Sequence, residues 1–288
     1  MILVDLNQVM ISNLMMQIGN QKSTPIEEDL VRHMVLNSLR RYKIKFGETY
    51  GDLVLCCDDK HYWRRDIFPY YKAGRKKDRK ASGYDWHAIF DTIRIVKDEL
   101  KENFPYKVIQ IPNAEADDVI GALCHKYGQY ALNGGSAEQI LILSGDKDFV
   151  QLQKYGNVEQ FSPVQKRFIR VTNPAKFIAE HIMKGDRGDG IPNFLSAGNT
   201  FVVEARQKPL TTKKINAWSN MAPGDFCDEK MLSGYKRNQQ LVDLDYIPDG
   251  IQAAVIEEYE EQVPASGKLM NYFLKHRLRN LMDSIGEF

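Results

Sequence analysis

Short apolar runs recur along the chain, and acidic residues follow most of them. Three runs are rich in Val, Ile and Leu, do not alternate with polar residues, and cover residues 2–4, 53–57 and 140–143, and residues 108–111 (VIQI) look like a fourth. This pattern is typical of strands buried on both faces of a parallel sheet. Asp5 and Asp58 directly follow the first two runs, and Asp146 follows the last run after Ser144 and Gly145.

Between these runs, helical patterns appear. Thr24-Pro25-Ile26-Glu27 has a capping Thr, a Pro at the first helical position and a Glu at the capping-box position, which predicts a helix that ends near Gly47. The spacing of apolar residues predicts a second helix over residues 86–102. Two more helices are predicted to begin at Glu115 and at Asn173-Pro174, the latter ending at Gly185.

Strands that alternate with helices predict an α/β fold with a doubly wound, mainly parallel sheet over residues 1–165. Residues 166–288 are expected to form a smaller, mainly helical lobe. The chain has 288 residues, of which 43% are hydrophobic and 27% charged, as in a globular protein with a buried core.

Composition excludes several classes of protein. No apolar run approaches the roughly 20 residues that a membrane-spanning helix needs, and the sequence MILVDLNQ resembles no secretory signal. We therefore expect a cytoplasmic protein. The four cysteines, at positions 56, 57, 124 and 227, lack zinc-binding spacing and are expected to be reduced core residues.

Acidic residues are the strongest chemical signal. The carboxyl ends of parallel strands meet at one edge of a sheet, where ligands bind. Alone, an Asp after a strand is usually a turn former or a helix cap. Together, many converging carboxylates repel one another unless cations neutralise them, and carboxylate ligands favour Mg²⁺ or Mn²⁺. The residues expected at this edge are Asp5, Asp58, Glu115, Asp117, Asp118, Asp146 and Asp148.

A second acidic pair, Asp186 and Asp189, lies in the glycine-rich loop KGDRGDG. Two neighbouring metal ions activate a water and stabilise the leaving oxygen at a phosphorus centre, so carboxylates in two groups favour a nuclease. Competing chemistries match less well. No GxxxxGK[ST] phosphate loop occurs, Asn7 replaces the second Asp of an aspartyl phosphatase, and no two histidines have metal-binding spacing.

A basic stretch follows Asp58. Residues 61–80 contain eight Lys or Arg residues and two Asp residues, interleaved with aromatic side chains. Such a stretch is either a solvated surface or a contact surface for single-stranded nucleic acid, to which the aromatic rings offer stacking. Its position beside the proposed metal site favours the second interpretation.

These motifs resemble the structure-specific 5′ nuclease family, which has a PIN-like core and includes flap endonucleases and the 5′ nuclease domain of bacterial DNA polymerases. Within the family, the chain is most similar to the ribonuclease H branch of 5′ to 3′ exonucleases from T-even bacteriophages. The matching motifs occur in the family's order over residues 2–190 and are VDLN, LCCDD, FPYYKAGR, EADD, SGDKDF and KGDRGD.

The resemblance implies a role for each matching residue. Asp5, Asp58, Asp117 and Asp146 would hold the tighter metal ion with support from Glu115 and Asp118, and Asp148, Asp186 and Asp189 would hold a second. In a helical arch at about residues 60–85, Lys72 and Arg75 would contact the scissile phosphate and Tyr71 would stack on an unpaired base. Nucleic-acid contacts are expected from Arg64, Arg65, Lys76, Lys77, Lys184 and Arg187, and from basic residues between Arg206 and Lys214.

The resemblance also implies cofactors and partners. We expect two Mg²⁺ ions, with Mn²⁺ as a substitute, and a monomer that removes RNA primers during lagging-strand replication in the cytoplasm of the host cell. Its substrates would be DNA and RNA–DNA duplexes with 5′ ends, flaps or nicks, and its protein partners a single-strand-binding protein and a sliding clamp.

The sequence departs from the family pattern after Asp189. Gly190 stands where many relatives have Asn, and residues 191–200 lack the glycine pattern of the helical hairpin that grips duplex DNA. The hairpin and its potassium site are therefore left open. A non-catalytic protein that binds branched nucleic acid is the alternative function, although every matching carboxylate is present.

Overall fold

A computed structural model describes residues 1–19, 26–132 and 138–288. Six strands form one sheet in the order β3-β2-β1-β4-β5-β6. All neighbouring strands are parallel except β5 and β6, which are antiparallel. The strands are β1 (Ile2–Asp5), β2 (Leu53–Cys56), β3 (Lys107–Ile109), β4 (Ile140–Leu143), β5 (Val158–Ser162) and β6 (Arg167–Ile169). The predicted α/β fold with a mainly parallel sheet is confirmed.

Helices surround the sheet. In its first half they are α1 (Leu6–Ile18), α2 (Glu28–Tyr50), α3 (Trp63–Ile67), α4 (Arg75–Ser82), α5 (Trp86–Asn103) and α6 (Ala116–Leu132). The rest are α7 (Pro174–Lys184), α8 (Thr212–Trp218), α9 (Pro223–Phe226), α10 (Glu229–Val242), α11 (Asp249–Glu261), α12 (Leu269–Lys275) and α13 (Arg279–Met282). Three short 3-10 helices cover Lys147–Lys154, Leu244–Tyr246 and Ile285–Glu287.

The predicted helices match closely where the structure describes them. α5 and α6 begin within a residue of their predicted starts, and α7 has Asn173 as its N-cap and Gly185 as its C-cap. α2 begins at Glu28 and continues past Gly47 to Tyr50. The prediction that Glu27 lies in the first turn as part of a capping box is wrong, because Glu27 is the extended N-cap and its side chain caps nothing. Thr24 and Pro25 lie outside the described residues. Helix α1, which follows β1 without a loop, was not predicted.

Three apolar clusters hold the fold together. On one face of the sheet, α1, α2 and α5 pack with Tyr272, Phe273 and other C-terminal residues. On the other face, α6 packs with Leu244, Ile247 and Val255. The third cluster joins Phe68 and Tyr71 to α7, α8 and α10. The C-terminal helices therefore pack back onto both faces of the sheet.

The edge strand β3 is covered by the C-terminal region. The side-chain amide of Gln262 pairs with the backbone of Val108, accepting from its N–H at 2.6 Å and donating to its carbonyl at 3.1 Å. This pairing satisfies backbone groups that an open sheet edge leaves free. Within the described residues, no helix is long and apolar enough to cross a membrane.

A candidate active site at the carboxyl edge of the sheet

Asp5 ends β1 and at the same time caps α1. The Gln8 N–H donates to Asp5 Oδ1 at 3.0 Å, and the Ser144 hydroxyl donates to Oδ2 at 3.2 Å. Burial raises the pKa of Asp5 to about 7, and the negative charges of Asp58 and Asp146 add to the effect. Among the described residues, no cation forms an ion pair with the Asp5 carboxylate.

Asp58 lies two residues beyond β2 and joins it to α6. Its Oδ1 accepts the Ala116 N–H at 2.8 Å, and its Oδ2 accepts from the Asn7 side chain at 2.6 Å. Burial raises the pKa of Asp58 even though both hydrogen bonds oppose the change. Parallel pairing of β1 with β2 brings Asp5 and Asp58 to the same edge.

Asp117 and Asp146 complete this group. Burial raises the pKa of Asp117 well above its ordinary value, and the charge of Asp146 adds to the rise. Burial also raises the pKa of Asp146 to about 6, with the neighbouring Asp148 adding to it. We call Asp5, Asp58, Asp117 and Asp146 the uncompensated group, because their pKa values stay raised although the charge of Lys72 lowers those of Asp58 and Asp117.

Glu115 is neutralised instead by the protein itself. It accepts hydrogen bonds from Arg64 Nη1 at 3.0 Å and from the Tyr71 hydroxyl at 2.8 Å, and it forms a buried ion pair with Lys72. Burial alone would raise the pKa of Glu115, but Lys72 and Arg64 outweigh it and hold the pKa below its ordinary value.

Asp189 is bound by the same basic segment. Arg75 Nη2 donates to its Oδ1 at 2.8 Å, and the Lys72 backbone N–H donates to its carbonyl at 2.7 Å. The Tyr71 hydroxyl, whose one proton is shared with Glu115, lies 3.2 Å from Asp189 Oδ2. Burial still raises the pKa of Asp189, against the charges of Lys72 and Arg75. Three contacts therefore attach residues 71–75 to the loop after α7.

Asp186 and Asp148 meet at the end of α7. Lys147 Nζ lies 2.7 Å from Asp186 Oδ2, and the Gly188 N–H donates to Oδ1 at 2.7 Å. Burial raises the pKa of Asp186, but Lys147 outweighs it and holds the pKa below its ordinary value. His181 Nε2 lies 2.9 Å from Asp148 Oδ1.

His181 and Lys147 lie among these acidic residues but were not predicted as site residues. No spacing in the sequence connects His181 to an acidic residue. Its proximity to Asp148 depends on how α7 packs against the 3-10 helix at Lys147–Lys154, which the sequence does not show.

Two residues expected to face ligands are instead paired with each other inside the protein. Arg64 is 2% exposed, donates to the Leu241 carbonyl at 2.9 Å, and lies 2.8 Å from Asp118 Oδ1. Asp118 is fully buried and also accepts from the Trp63 indole at 3.1 Å. Arg64 therefore presents no surface to nucleic acid, and Asp118 has a cation of the protein as its partner.

The three candidates of the arch differ in exposure. Tyr71 is 3% exposed and packs edge-on against Tyr62, so its ring presents no free stacking face. The Lys72 side chain is 7% exposed, whereas that of Arg75 is 42% exposed. Arg75 is therefore the one of the three that reaches solvent.

The other basic candidates are exposed. Arg65 lies over the Tyr62 ring, and Arg187 lies near the Phe201 ring. Lys77 pairs with Glu204 at 2.7 Å, and Lys184 pairs with Glu180 at 2.6 Å. Lys76 is exposed on α4, where no residue is buried. Residues 185–211, all described, contain no helix, and the next helix after Asp189 is α8, which begins at Thr212.

Residues 2–181 match the family described as "5′-3′ exonuclease, N-terminal resolvase-like domain". The chain belongs to the 5′-3′ exonuclease family. This nuclease also matches, over residues 174–288, the family described as "T4 RNase H, C terminal". The resemblance inferred from its motifs is confirmed, and its enzymatic class is that of the hydrolytic phosphodiesterases.

Relatives of the nuclease include phage and bacterial proteins. It is 35% identical to ribonuclease H of Enterobacteria phage T4, an alignment that covers 99% of this chain and 95% of the relative. It is 28% identical to the flap endonuclease Xni of Shewanella sediminis over 56% of this chain and 60% of the relative.

Solved structures of the same fold support the architecture. The T5 D15 protein, co-crystallised with metal ions, has a TM-score of 0.60 at 17% identity, covering 90% of this chain and 98% of that chain. A pseudo-enzyme-product complex of the bacteriophage T5 D15 flap endonuclease with DNA and metal ions has the same TM-score and identity and covers 99% of that chain. The nuclease fold thus extends over nearly the whole chain.

Proposed function

We propose that this nuclease is a divalent-metal-dependent 5′ to 3′ exonuclease and flap endonuclease. One observation carries the proposal: burial raises the pKa of all four carboxylates in the uncompensated group, at the sheet edge where ligands bind. Divalent cations would neutralise these buried carboxylates. The oxygen donors suit Mg²⁺, with Mn²⁺ as a substitute.

The donor set supports two metal ions. The uncompensated group would hold one metal ion, and Glu115, which pairs with Lys72, would support that site. Asp148, Asp186 and Asp189 would hold the second ion. We leave Asp118 out of both sets because Arg64 already neutralises it. When bound, such ions supply an activated water and stabilise the leaving oxygen of a phosphodiester.

Residues of the chain would orient the nucleic acid. Arg75, half-exposed beside Asp189, would contact the scissile phosphate, and Lys72 would add positive charge from beneath it. Tyr71 would position Glu115 and Asp189 through its hydroxyl rather than stack on a base. Strand contacts would come from the exposed Arg65, Lys76, Lys77, Lys184 and Arg187.

We infer the substrates from the relatives. DNA and RNA–DNA duplexes with 5′ ends, flaps or nicks match the names of the ribonuclease H and flap endonuclease relatives. Removal of RNA primers in lagging-strand replication would follow, in the cytoplasm of the host cell. We propose that the enzyme acts as a monomer and cooperates with a single-strand-binding protein and a sliding clamp.

A cleavage assay on 5′-labelled DNA flaps and RNA–DNA duplexes tests the proposal. We expect product with Mg²⁺ and none with chelator. Asp146→Asn should lose nearly all cleavage but keep flap binding, because it removes one carboxylate and leaves the basic residues intact. Binding without cleavage in the unaltered chain would instead favour the non-catalytic alternative, and normal turnover of Asp146→Asn would exclude Asp146 as a ligand.

A further inference from the structure

His181 lies in the last turn of α7 with its ring inside the protein. Its side chain is 6% exposed, and its Nε2 lies 2.9 Å from Asp148 Oδ1 and 4.0 Å from Asp186 Oδ2. One donor atom from each of these three residues lies within 4.8 Å of the other two. An imidazole nitrogen and two carboxylates therefore converge on one point.

The 2.9 Å contact between His181 Nε2 and Asp148 Oδ1 is an ion pair only when the imidazole is protonated, and it lacks hydrogen-bond geometry. Both His181 Nε2 and Asp148 Oδ1 are buried, and neither has a hydrogen-bond partner among the described residues. Buried polar atoms are nearly always paired, so an unpaired buried nitrogen beside two carboxylates points to a missing ligand. Adjacent ligands of an octahedral ion with bonds of about 2.1 Å lie about 3 Å apart, close to the observed separation.

The backbone holds this arrangement in place. The Gly185 N–H donates to the His181 carbonyl at 2.8 Å, and the loop after it returns Asp186 toward the ring. Gly185 has a φ of 66°, and a Cβ there would overlap the Ile191 and Pro192 carbonyls. Phe177, one turn earlier on α7, packs against the imidazole with ring centroids 5.9 Å apart. The position of His181 is therefore set by the fold.

We propose that His181 binds a metal ion through Nε2, together with Asp148 and Asp186, and so favours Mn²⁺ or another transition metal over Mg²⁺ at the second site. The proposal rests on the proposed function and adds a nitrogen ligand to an all-carboxylate set. Imidazole suits transition metals, whereas carboxylates alone suit Mg²⁺. Lys147, which now pairs with Asp186, is 54% exposed and is free to move into solvent when a cation replaces its charge.

A second buried histidine provides a matched control. His125 Nε2 lies 3.1 Å from Asp245 Oδ1, but Lys154 pairs with the same carboxylate. His125 Nε2 is also buried without a hydrogen-bond partner. Among the described residues, however, only one carboxylate forms an ion pair with it, and Lys154 neutralises that carboxylate, so the second acidic ligand found at His181 is missing. His125→Gln should therefore reproduce any purely structural effect of replacing a buried histidine.

The test measures metal binding by the full-length chain. Calorimetric titrations with Mn²⁺ and with Mg²⁺ compare the unaltered protein, His181→Gln and His125→Gln. We expect His181→Gln to weaken Mn²⁺ binding at one site by about 10- to 100-fold, at least the effect of losing a group that supports a ligand. Mg²⁺ binding should weaken by a smaller factor, and His125→Gln should change neither.

Nuclear magnetic resonance of the unaltered chain gives an independent readout that does not depend on a variant's folding. Mn²⁺ should broaden the imidazole resonances of His181 before those of His125. Equal loss of Mn²⁺ and Mg²⁺ affinity in His181→Gln, or His181 resonances that stay sharp, would overturn the proposal. If the chain cleaves flaps but His181→Gln does not selectively lose Mn²⁺ affinity, the proposed function stands and the His181 ligand is excluded. If Mn²⁺ affinity is lost selectively but the unaltered chain cleaves no flap, the metal site stands and the proposed function is excluded.

Discussion

Lys72 and Glu115 form an ion pair in which the two side chains are only 7% and 2% exposed. Lys72 belongs to the segment before α4, and Glu115 directly precedes α6. The pair therefore connects the basic segment to the carboxyl edge of the sheet. Arg64 Nη1, 3.0 Å from the other Glu115 oxygen, shares the same charge.

Removing one partner of this pair should destabilise the protein. Lys72→Ala leaves the buried Glu115 with Arg64 alone, and breaking a buried pair in this way costs about 3 kcal/mol. Adding Glu115→Gln should recover part of the loss, because the charge that lacks a partner is then gone. Urea denaturation in chelator measures both variants, and a single variant as stable as the unaltered protein would contradict the role of the pair.

Two adjacent arginines should behave in opposite ways. Arg64→Ala removes the buried partner of Glu115 and Asp118 and should cost about 3–5 kcal/mol of stability. Arg65→Ala, at an exposed position, should change stability by less than about 0.5 kcal/mol. If Arg65 contacts a phosphate, its loss should reduce the slope of log affinity against log salt by about 0.7–0.9. Denaturation and flap-binding titrations distinguish the two, and equal stabilities would contradict the burial of Arg64.

The carboxyl edge of the sheet could be predicted from the sequence because the strands are continuous apolar runs. Such runs are buried on both faces, and parallel pairing then brings Asp5 and Asp58 to one edge whatever the loops do. The helices with cap signals, such as the one that begins at Asn173-Pro174, could be placed for a similar local reason.

What the sequence could not show depends on long-range contacts. Arg64 is buried because it meets the Leu241 carbonyl, 177 residues away along the chain. Exposed and buried arginines look the same in a basic stretch, so the neighbouring Arg64 and Arg65 received the same interpretation. His181 reaches Asp148 only because α7 packs beside it, and the sequence does not show this packing.

The uncompensated group should make stability fall as pH rises when metal is removed. The pKa of Asp5 is about 7 in the folded protein, against about 3.9 in an unfolded chain. Its protonated form therefore stabilises the fold below about pH 4, and about 4 kcal/mol is lost as pH rises from about 4 to 7. Denaturation in chelator at several pH values should give a flatter profile for Asp5→Asn than for the unaltered protein.

Asp59 provides a control, because its pKa is lowered in the folded protein whereas that of Asp5 is raised. Its carboxylate accepts the Asn113 N–H at 2.9 Å. Burial opposes ionisation and is the largest single effect, but this and other hydrogen bonds together outweigh it and lower the pKa of Asp59. The ionised Asp59 carboxylate therefore stabilises the fold above its unfolded pKa, and this stabilisation is lost as pH falls through its folded pKa. Asp59→Asn should thus lose stability mainly above about pH 4, and profiles of the same shape for both variants would contradict the assignment.

Arg75 and Lys76 should separate transition-state contact from general attraction. Arg75→Ala should lower turnover at saturating flap substrate by about 100-fold, because it removes a cation placed where charge develops. Lys76→Ala should spare saturated turnover. Each variant should reduce the salt slope of binding by about 0.7–0.9 if its side chain contacts a phosphate. Equal, small effects on turnover would mean that Arg75 belongs only to an electrostatic surface.

Gly190 should be required for the contacts of Asp189. Its φ is 75°, and a Cβ there would lie 2.8 Å from the Tyr70 carbonyl oxygen. Gly190→Ala should therefore cost about 1–3 kcal/mol through backbone strain, and it should move Asp189 away from Arg75 and Tyr71. Urea denaturation in chelator measures the loss of stability. Flap cleavage at saturating substrate measures the effect on turnover of moving Asp189.

Two further substitutions separate the possible causes of the stability loss expected in Gly190→Ala. Gly224→Ala lies where a Cβ meets nothing within 4 Å, so its stability should change little. Gly190→Asn also adds a Cβ, but Asn adopts a positive φ more readily than Ala does. If positive φ is the main source of strain, Gly190→Asn should be more stable than Gly190→Ala. If the Tyr70 carbonyl is the main obstacle, both should lose stability equally, because each adds a Cβ. A Gly190→Ala variant as stable and active as Gly224→Ala would show that Asp189 does not depend on this close approach.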